Sequence, residues 1–175
     1  PAGKGFEYCY GIIRGDTRQW EPAILEKSRP IEPPHNAKDY FFEKDMADHC
    51  IDRIRLLHAV APNKPFLAYY APGTAHAPHH APKDWIAKFK GKFDQGWDKQ
   101  REETFARQKQ MGIIPQDTKL TKRSEGIGAW DELDADHKKV YSHMMEVYAA
   151  ALSYADTQMG RVLDAIEEMG ELDNT

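Results

Sequence analysis

A chain of 175 residues, 41% hydrophobic and 30% charged, is long enough to fill one domain with a real core. A formal net charge of −4 gives no electrostatic reason to expect nucleic acid as a partner, and the basic residues Lys119, Lys122 and Arg123 read as a solvated loop. No apolar run approaches the roughly eighteen residues of a membrane span.

Taken in chain order, residues 1–40 are irregular, with Phe6, Tyr8, Tyr10 and Trp20 set among glycines and the prolines Pro30, Pro33 and Pro34. Tyr8 to Ile13 is the one short strand candidate there, and the rest reads as packed loop. From Glu43 to Ala59, Met46, Ala47, Cys50, Ile51, Ile54 and Leu57 recur at three and four, which predicts an amphipathic helix ending before Pro62. A turn over Ala61 to Lys64 leads to Pro65 and a buried apolar strand, Phe66 to Ala71. Helix, turn and strand in that order suggest the crossover of an α/β sheet. The strand candidate runs into Pro72 and Gly73 and then a proline-stiffened loop holding His76, His79 and His80.

Beyond this loop, Pro82 to Phe89 predicts a short helix with proline near its first position, broken by Gly91 to Gly96. A charge-rich helix, solvent-facing or lid-like, follows over Trp97 to Met111, with Gly112 as its cap and Pro115 beyond. Gln116 to Trp130 is a polar loop. From the N-cap Asp134, apolar residues run at helical spacing from Val140 through Ile166, and Gly170 stops the helix. Unbroken, this element is roughly 50 Å long at about 1.5 Å per residue, with Gly160 as the place for any kink. Its apolar stripe predicts packing on a large sheet. The chain starts at Pro1 with no charged-then-apolar leader and stops just past a helix, so both ends read as cut and the chain as an interior piece of a longer polypeptide.

Cys9 and Cys50 form no C-x-x-C and read as buried or half-buried free thiols. The H-x-x-H-H run of His76, His79 and His80 between prolines matches no zinc-site spacing. One of these imidazoles reaching into an active site is favoured over a three-histidine metal site, with a wholly structural loop as the alternative. Asp173-Asn174 reads as a turn rather than a hard-cation site. Asp156 and Arg161 read as surface or helix-packing residues. Asp16 to Trp20 is a polar loop with a large aromatic, suited equally to packing and to lining a pocket. No P-loop, G-x-G-x-x-G, G-x-S-x-G or H-E-x-x-H occurs.

The stretches GFEYCYGIIRGDTRQW, KPFLAYYAPGTAHAPHHAPKDW, GKFDQGWDKQREETFARQKQMGIIPQDTKLT and MEVYAAALSYADTQMGRVLDAIEEMGELDNT, in this order, resemble the sulfatase family and bacterial arylsulfatases within it. The resemblance implies an α/β protein of the alkaline-phosphatase-like sulfatase fold, truncated at both ends, with residues 1–175 an interior segment of a single catalytic domain. It implies a sulfuric ester hydrolase acting on a small-molecule or glycan sulfate ester. The family's cofactors are calcium and a formylglycine made from the cysteine of C-x-P-x-R, whose hydrated aldehyde attacks the ester sulfur.

Cys9 to Arg14 and Cys50 to Arg53 lack that motif, so neither cysteine is the nucleophile. The family's acidic metal ligands lie upstream, and its Asp-Asn pair follows a further strand, so no metal role passes to Asp173-Asn174. One role does pass across. The family histidine that contacts the sulfate and assists the leaving oxygen falls on His76, counting back from Ala81-Pro82-Lys83, with Ala75 where the family has proline. His79 and His80 take no family role. Metal-dependent phosphodiesterases and phosphonate hydrolases share the fold and are the alternative within enzymes. A non-catalytic truncated product binding metal through its histidine loop is the alternative outside them.

Overall fold

The computed structural model describes residues 2–13, 15–33 and 39–175; Pro1, Arg14 and Pro34, which belong to the stretches read above, lie outside them. The elements are β1 (Tyr10–Gly11), β2 (Ile24–Glu26), β3 (Arg29–Ile31), α1 (Phe42–Val60), α2 (Lys83–Ala87), α3 (Gly96–Gln110) and α4 (Ala135–Glu168). Short 3-10 turns cover Ala2–Lys4, Trp130–Glu132 and Leu172–Asn174. The chain divides into two compact units: Pro1–Ala81 with Ala151–Thr175, and Pro82–Ala150.

In the first unit, α1 follows the predicted periodicity and buries Met46, Ala47, Ile51 and Ile54. Ala47, Ile51 and Ile54 pack with Val162, Ala165 and Ile166 from the last turns of α4, and Cys50, Phe66, Tyr70 and Met169 border this cluster. A smaller cluster joins Ile24, Phe42 and Met46, flanked by Tyr10, Ile12 and Ile31. Arg161 of α4 pairs with Asp48 of α1, and Arg55 with Glu168, along the flanks of the apolar seam.

Three expectations for this unit are corrected. Residues 24–31, read as loop, form a hairpin: β2 pairs antiparallel with β1 and with β3, placing Leu25 opposite Pro30. Proline is tolerated because β3 is an edge strand, where the missing N–H costs no ladder bond. The hairpin turns at Lys27, whose φ of 55° is left-handed. Phe66 to Ala71 is not a strand: among the described residues it takes no part in the three-stranded sheet. Phe66 and Tyr70 turn inward while Leu67 and Tyr69 stay 80% and 82% exposed. The sheet observed is a three-stranded antiparallel one, so among the described residues α1 does not connect parallel strands. The third correction concerns α4. Its C-terminal stripe packs on α1 rather than on a large sheet, and Met159 and Leu163 are exposed.

In the second unit, α2 begins after Pro82, as proline's fixed φ favours. Only Gly96 of α3 is buried, in keeping with its charged sequence. Gly112, at φ 70°, ends α3 in a Schellman motif: Gly112 N–H donates to Lys109 O and Ile113 N–H to Gln108 O. Gly170 closes α4 the same way, through Gly170 N–H to Glu167 O and Glu171 N–H to Ile166 O. Asp134 caps α4, its Oδ1 accepting His137 N–H at 2.8 Å. The α4 helix passes Gly160 without a break. Among the described residues, no helix is long and apolar enough to cross a membrane.

Candidate functional site

The histidine turn occupies Gly73 to Ala81 in the first unit. Gly73 O accepts His76 N–H at 3.1 Å, which closes the turn, and the Ala77–Pro78 peptide is cis. His76 is exposed, and its Nδ1 lies 2.7 Å from Ala77 O. A carbonyl can only accept, so Nδ1 carries the proton there and Nε2 is the nitrogen left for a ligand: an acceptor in the neutral ring, a donor in the imidazolium. His79 is spent on the turn itself, its Nε2 donating to Ala75 O at 3.1 Å. His80 faces the other way. Its Nδ1 accepts Gln19 N–H at 3.4 Å, and its ring sits 4.7 Å from that of Trp20. Burial, then the nearby charges of Arg18 and His79, hold the His80 imidazole below its ordinary pKa, which favours the neutral ring.

All three histidines line a small cavity of about 20 Å³, together with Asp16, Thr17, Gln19 and Thr74. That volume accommodates about one water, not an ester. Of the three histidines around it, only His76 is exposed. The polar loop Asp16 to Trp20 fills both roles open to it. Trp20 packs edge-on against Phe41 at 5.5 Å, while Asp16 and Thr17 line the cavity.

Beneath the turn lies a buried polar group that the sequence reading passed over. Glu43, on the second residue of α1, is 1% exposed. Thr74 Oγ1 donates to its Oε2 at 2.9 Å and Gln19 Nε2 reaches the same oxygen at 3.4 Å, while Gln19 Oε1 accepts Glu43 N–H at 2.9 Å. Burial pushes the Glu43 carboxyl above its usual range, against the pull of the bonds from Thr74 and Gln19. One signal was legible in advance: Glu43 lies three and four residues before Met46 and Ala47, on the buried stripe of the helix.

Cys9 and Cys50 are free and half-buried, and burial raises the Cys50 pKa, so its thiolate is disfavoured. Among the described residues no group of three or more His, Cys, Asp and Glu side chains is arranged to hold a metal ion. The donor set for a calcium ion does not fit these residues, and no chemistry of such an ion is assigned to them. Asp173 and Asn174 lie in a 3-10 turn, Asp156 is exposed on α4, and Lys119, Lys122 and Arg123 are solvated, with Arg123 also paired to Asp98 at 2.9 Å.

Comparison with known proteins places this turn in context. Residues 2–175 match the family model described as Sulfatase. An uncharacterized sulfatase of Schizosaccharomyces pombe is 30% identical over 191 aligned residues, covering 100% of this chain and 34% of that protein. An arylsulfatase of Klebsiella aerogenes is 28% identical over 184 residues, covering 100% of this chain and 39% of that protein. The chain thus spans a little over a third of the length of these curated relatives. With a match along essentially its whole length, the chain belongs to the sulfatase family.

Proposed function

We propose that the protein containing this chain hydrolyses sulfate esters, that its catalytic domain has the alkaline-phosphatase-like α/β fold, and that residues 1–175 are an interior segment of that domain. The observation that carries this reading is the sulfatase match over residues 2–175; that His76, an exposed imidazole lining the cavity, takes the family's histidine role is part of the proposal and rests on the resemblance of the turn's sequence. A formylglycine nucleophile and the ligands of a calcium ion belong, in this reading, to parts of the protein outside residues 1–175.

The role of His76 follows from its hydrogen bonds. With Nδ1–H committed to Ala77 O, the imidazolium has Nε2–H to direct at a sulfate oxygen or to give to the departing alkoxide. Proton delivery to that oxygen is worth most for a poor leaving group. Exposure lets the ring exchange protons with solvent between turnovers. His79 is engaged with Ala75 O and His80 with Gln19 N–H, so neither offers the same nitrogen in the same way.

The test is a His76→Ala substitution in the full-length protein, assayed by release of sulfate from aryl and alkyl sulfates. Loss of a general acid is expected to lower kcat by about 10²-fold or more, most severely for the alkyl ester. An unchanged rate with both esters removes His76 from the chemistry. Purified residues 1–175 alone are expected to release no sulfate above a His76→Ala control.

A further inference from the structure

A buried carboxyl is a costly group to place beside an apolar seam unless it is paired or hydrogen-bonded. Glu43 has no ion-pair partner among the described residues, and its Oε1 is buried with no hydrogen-bond partner. Its other carboxyl oxygen and its backbone N–H serve two loops. Through Oε2 it holds Thr74, two residues before His76, and Gln19. Through its own N–H it holds the Gln19 side chain a second time. Gln19 is itself buried at 8% exposure, and its backbone N–H sets the Nδ1 acceptor state of His80. Phe42 N–H to Gln19 O at 2.8 Å fixes the same loop to the start of α1. A single side chain on a rigid helix therefore grips the histidine turn near its beginning and, through Gln19, near its end.

We propose that Glu43 is a positioning residue of the sulfatase site: held on α1, its carboxyl anchors Thr74 and Gln19 and so keeps His76 on the cavity wall in the orientation that meets the ester. The inference rests on the reading of His76 given above. Glu43 touches no substrate and acts only through the turn. Shape and hydrogen bonding matter for this role; negative charge does not. Glu43→Gln preserves both, with its carbonyl accepting from Thr74 and its amide nitrogen taking the place of Oε1. Glu43→Leu fills the space without either bond, and Thr74→Val removes one hydroxyl.

The experiment measures kcat, KM and thermal midpoint for these variants and for the Glu43→Leu/Thr74→Val double variant, all in the full-length protein. Displacing the ring is expected to lower kcat about 10-fold or more in each of Glu43→Leu and Thr74→Val, with KM changed less. The double variant is expected to be no worse than the worse single one, because both break the same link. Glu43→Gln is expected to restore kcat to within about 3-fold of the original, whatever its midpoint. Wild-type kcat in both Glu43→Leu and Thr74→Val overturns the proposal, as does full additivity of the two losses. If Glu43→Leu fails to fold, Thr74→Val against Glu43→Gln decides alone.

A second readout separates this inference from the sulfatase reading. The rates at which diethyl pyrocarbonate modifies His76 and His80 are followed by peptide mass spectrometry. Rates altered in Thr74→Val and restored in Glu43→Gln support the anchor even if the wild-type protein releases no sulfate. Identical rates in all variants overturn it.

Discussion

The two units are held by different means. In Pro1–Ala81 with Ala151–Thr175, two helices share an aliphatic seam in which Ala47, Ile54, Val162, Ala165 and Ile166 are buried, and stability is spread over many small contacts. In Pro82–Ala150, α3 buries only Gly96, which packs against a single buried aromatic, Trp130. Trp130 lies over Gly96, Trp97 meets its ring edge-on at 4.8 Å, and Asp98 accepts Trp130 N–H at 2.9 Å. A distributed seam degrades gradually under substitution, whereas a keystone fails at once.

The sharpest way to break the comparison is Gly96→Ala. A Cβ there would lie 2.1 Å from Trp130 Cγ, at a residue whose φ is +76°. The clash and the left-handed backbone together are expected to cost about 3 kcal/mol or more. Hydrogen exchange should show lost protection in peptides from residues 82–150. Loss spreading equally into α1 would show that the two units fold as one. Trp130→Ala added to Gly96→Ala is expected to cost less than the sum, because it removes the clash.

Ile54→Ala probes the seam. At 3% exposure it should cost about 2–4 kcal/mol, read as a lowered denaturation midpoint with unchanged slope. A cost as large as that of Gly96→Ala would erase the contrast between the units.

The smallest expected effect is a pH dependence in the first unit. Tyr10 and Tyr40 donate to Asp45 Oδ2, while His49 lies 3.2 Å from Asp45 Oδ1 and stacks on Tyr10 at 3.7 Å. Burial opposes ionisation of Asp45, but the bonds from His49, Tyr10 and Tyr40 outweigh it and lower its pKa below 3.8. The Asp45 bond raises His49 above 6.5 against its partial burial. The raised histidine stabilises fully below pH 6.5, and its contribution fades as pH climbs through the folded value. The lowered aspartate stabilises fully above pH 3.8, and its contribution fades as pH drops through the folded value. The contact between β1 and α1 is therefore strongest between these limits. In thermal scans, His49→Gln should lose most in that window and converge toward wild type at alkaline pH; a constant offset at every pH would remove the ion pair from the account.

Legibility from sequence divides along the same physical line. The limits of α1, α3 and α4 were visible because a helix is specified by its own period and its own stops, Asp134, Gly112 and Gly170 among them. The Phe66 to Ala71 segment misled because an apolar run states a capacity to pair, and pairing depends on a neighbour elsewhere in the chain. Pro30 concealed β3, since the edge position that excuses a proline is a tertiary fact. At the site, His76 was singled out only through the family resemblance, counting back from Ala81-Pro82-Lys83, and the residues that hold its turn were not singled out at all. Gln19, Glu43 and Thr74 are 24 and 31 residues apart in sequence along the links Gln19–Glu43 and Glu43–Thr74, and only folding brings them together.

The exposed flank of Phe66 to Ala71 also bears on how the polypeptide behaves in concentrated solution. Leu67 and Tyr69 present an apolar, uncharged, β-prone face of the kind that templates strand addition between molecules. Pro65 and Pro72 bracket it, and a residue without an N–H cannot extend a growing ladder. The prolines leave six residues between them for such pairing, and a charge placed at Leu67 or Tyr69 is expected to disfavour it in the isolated segment.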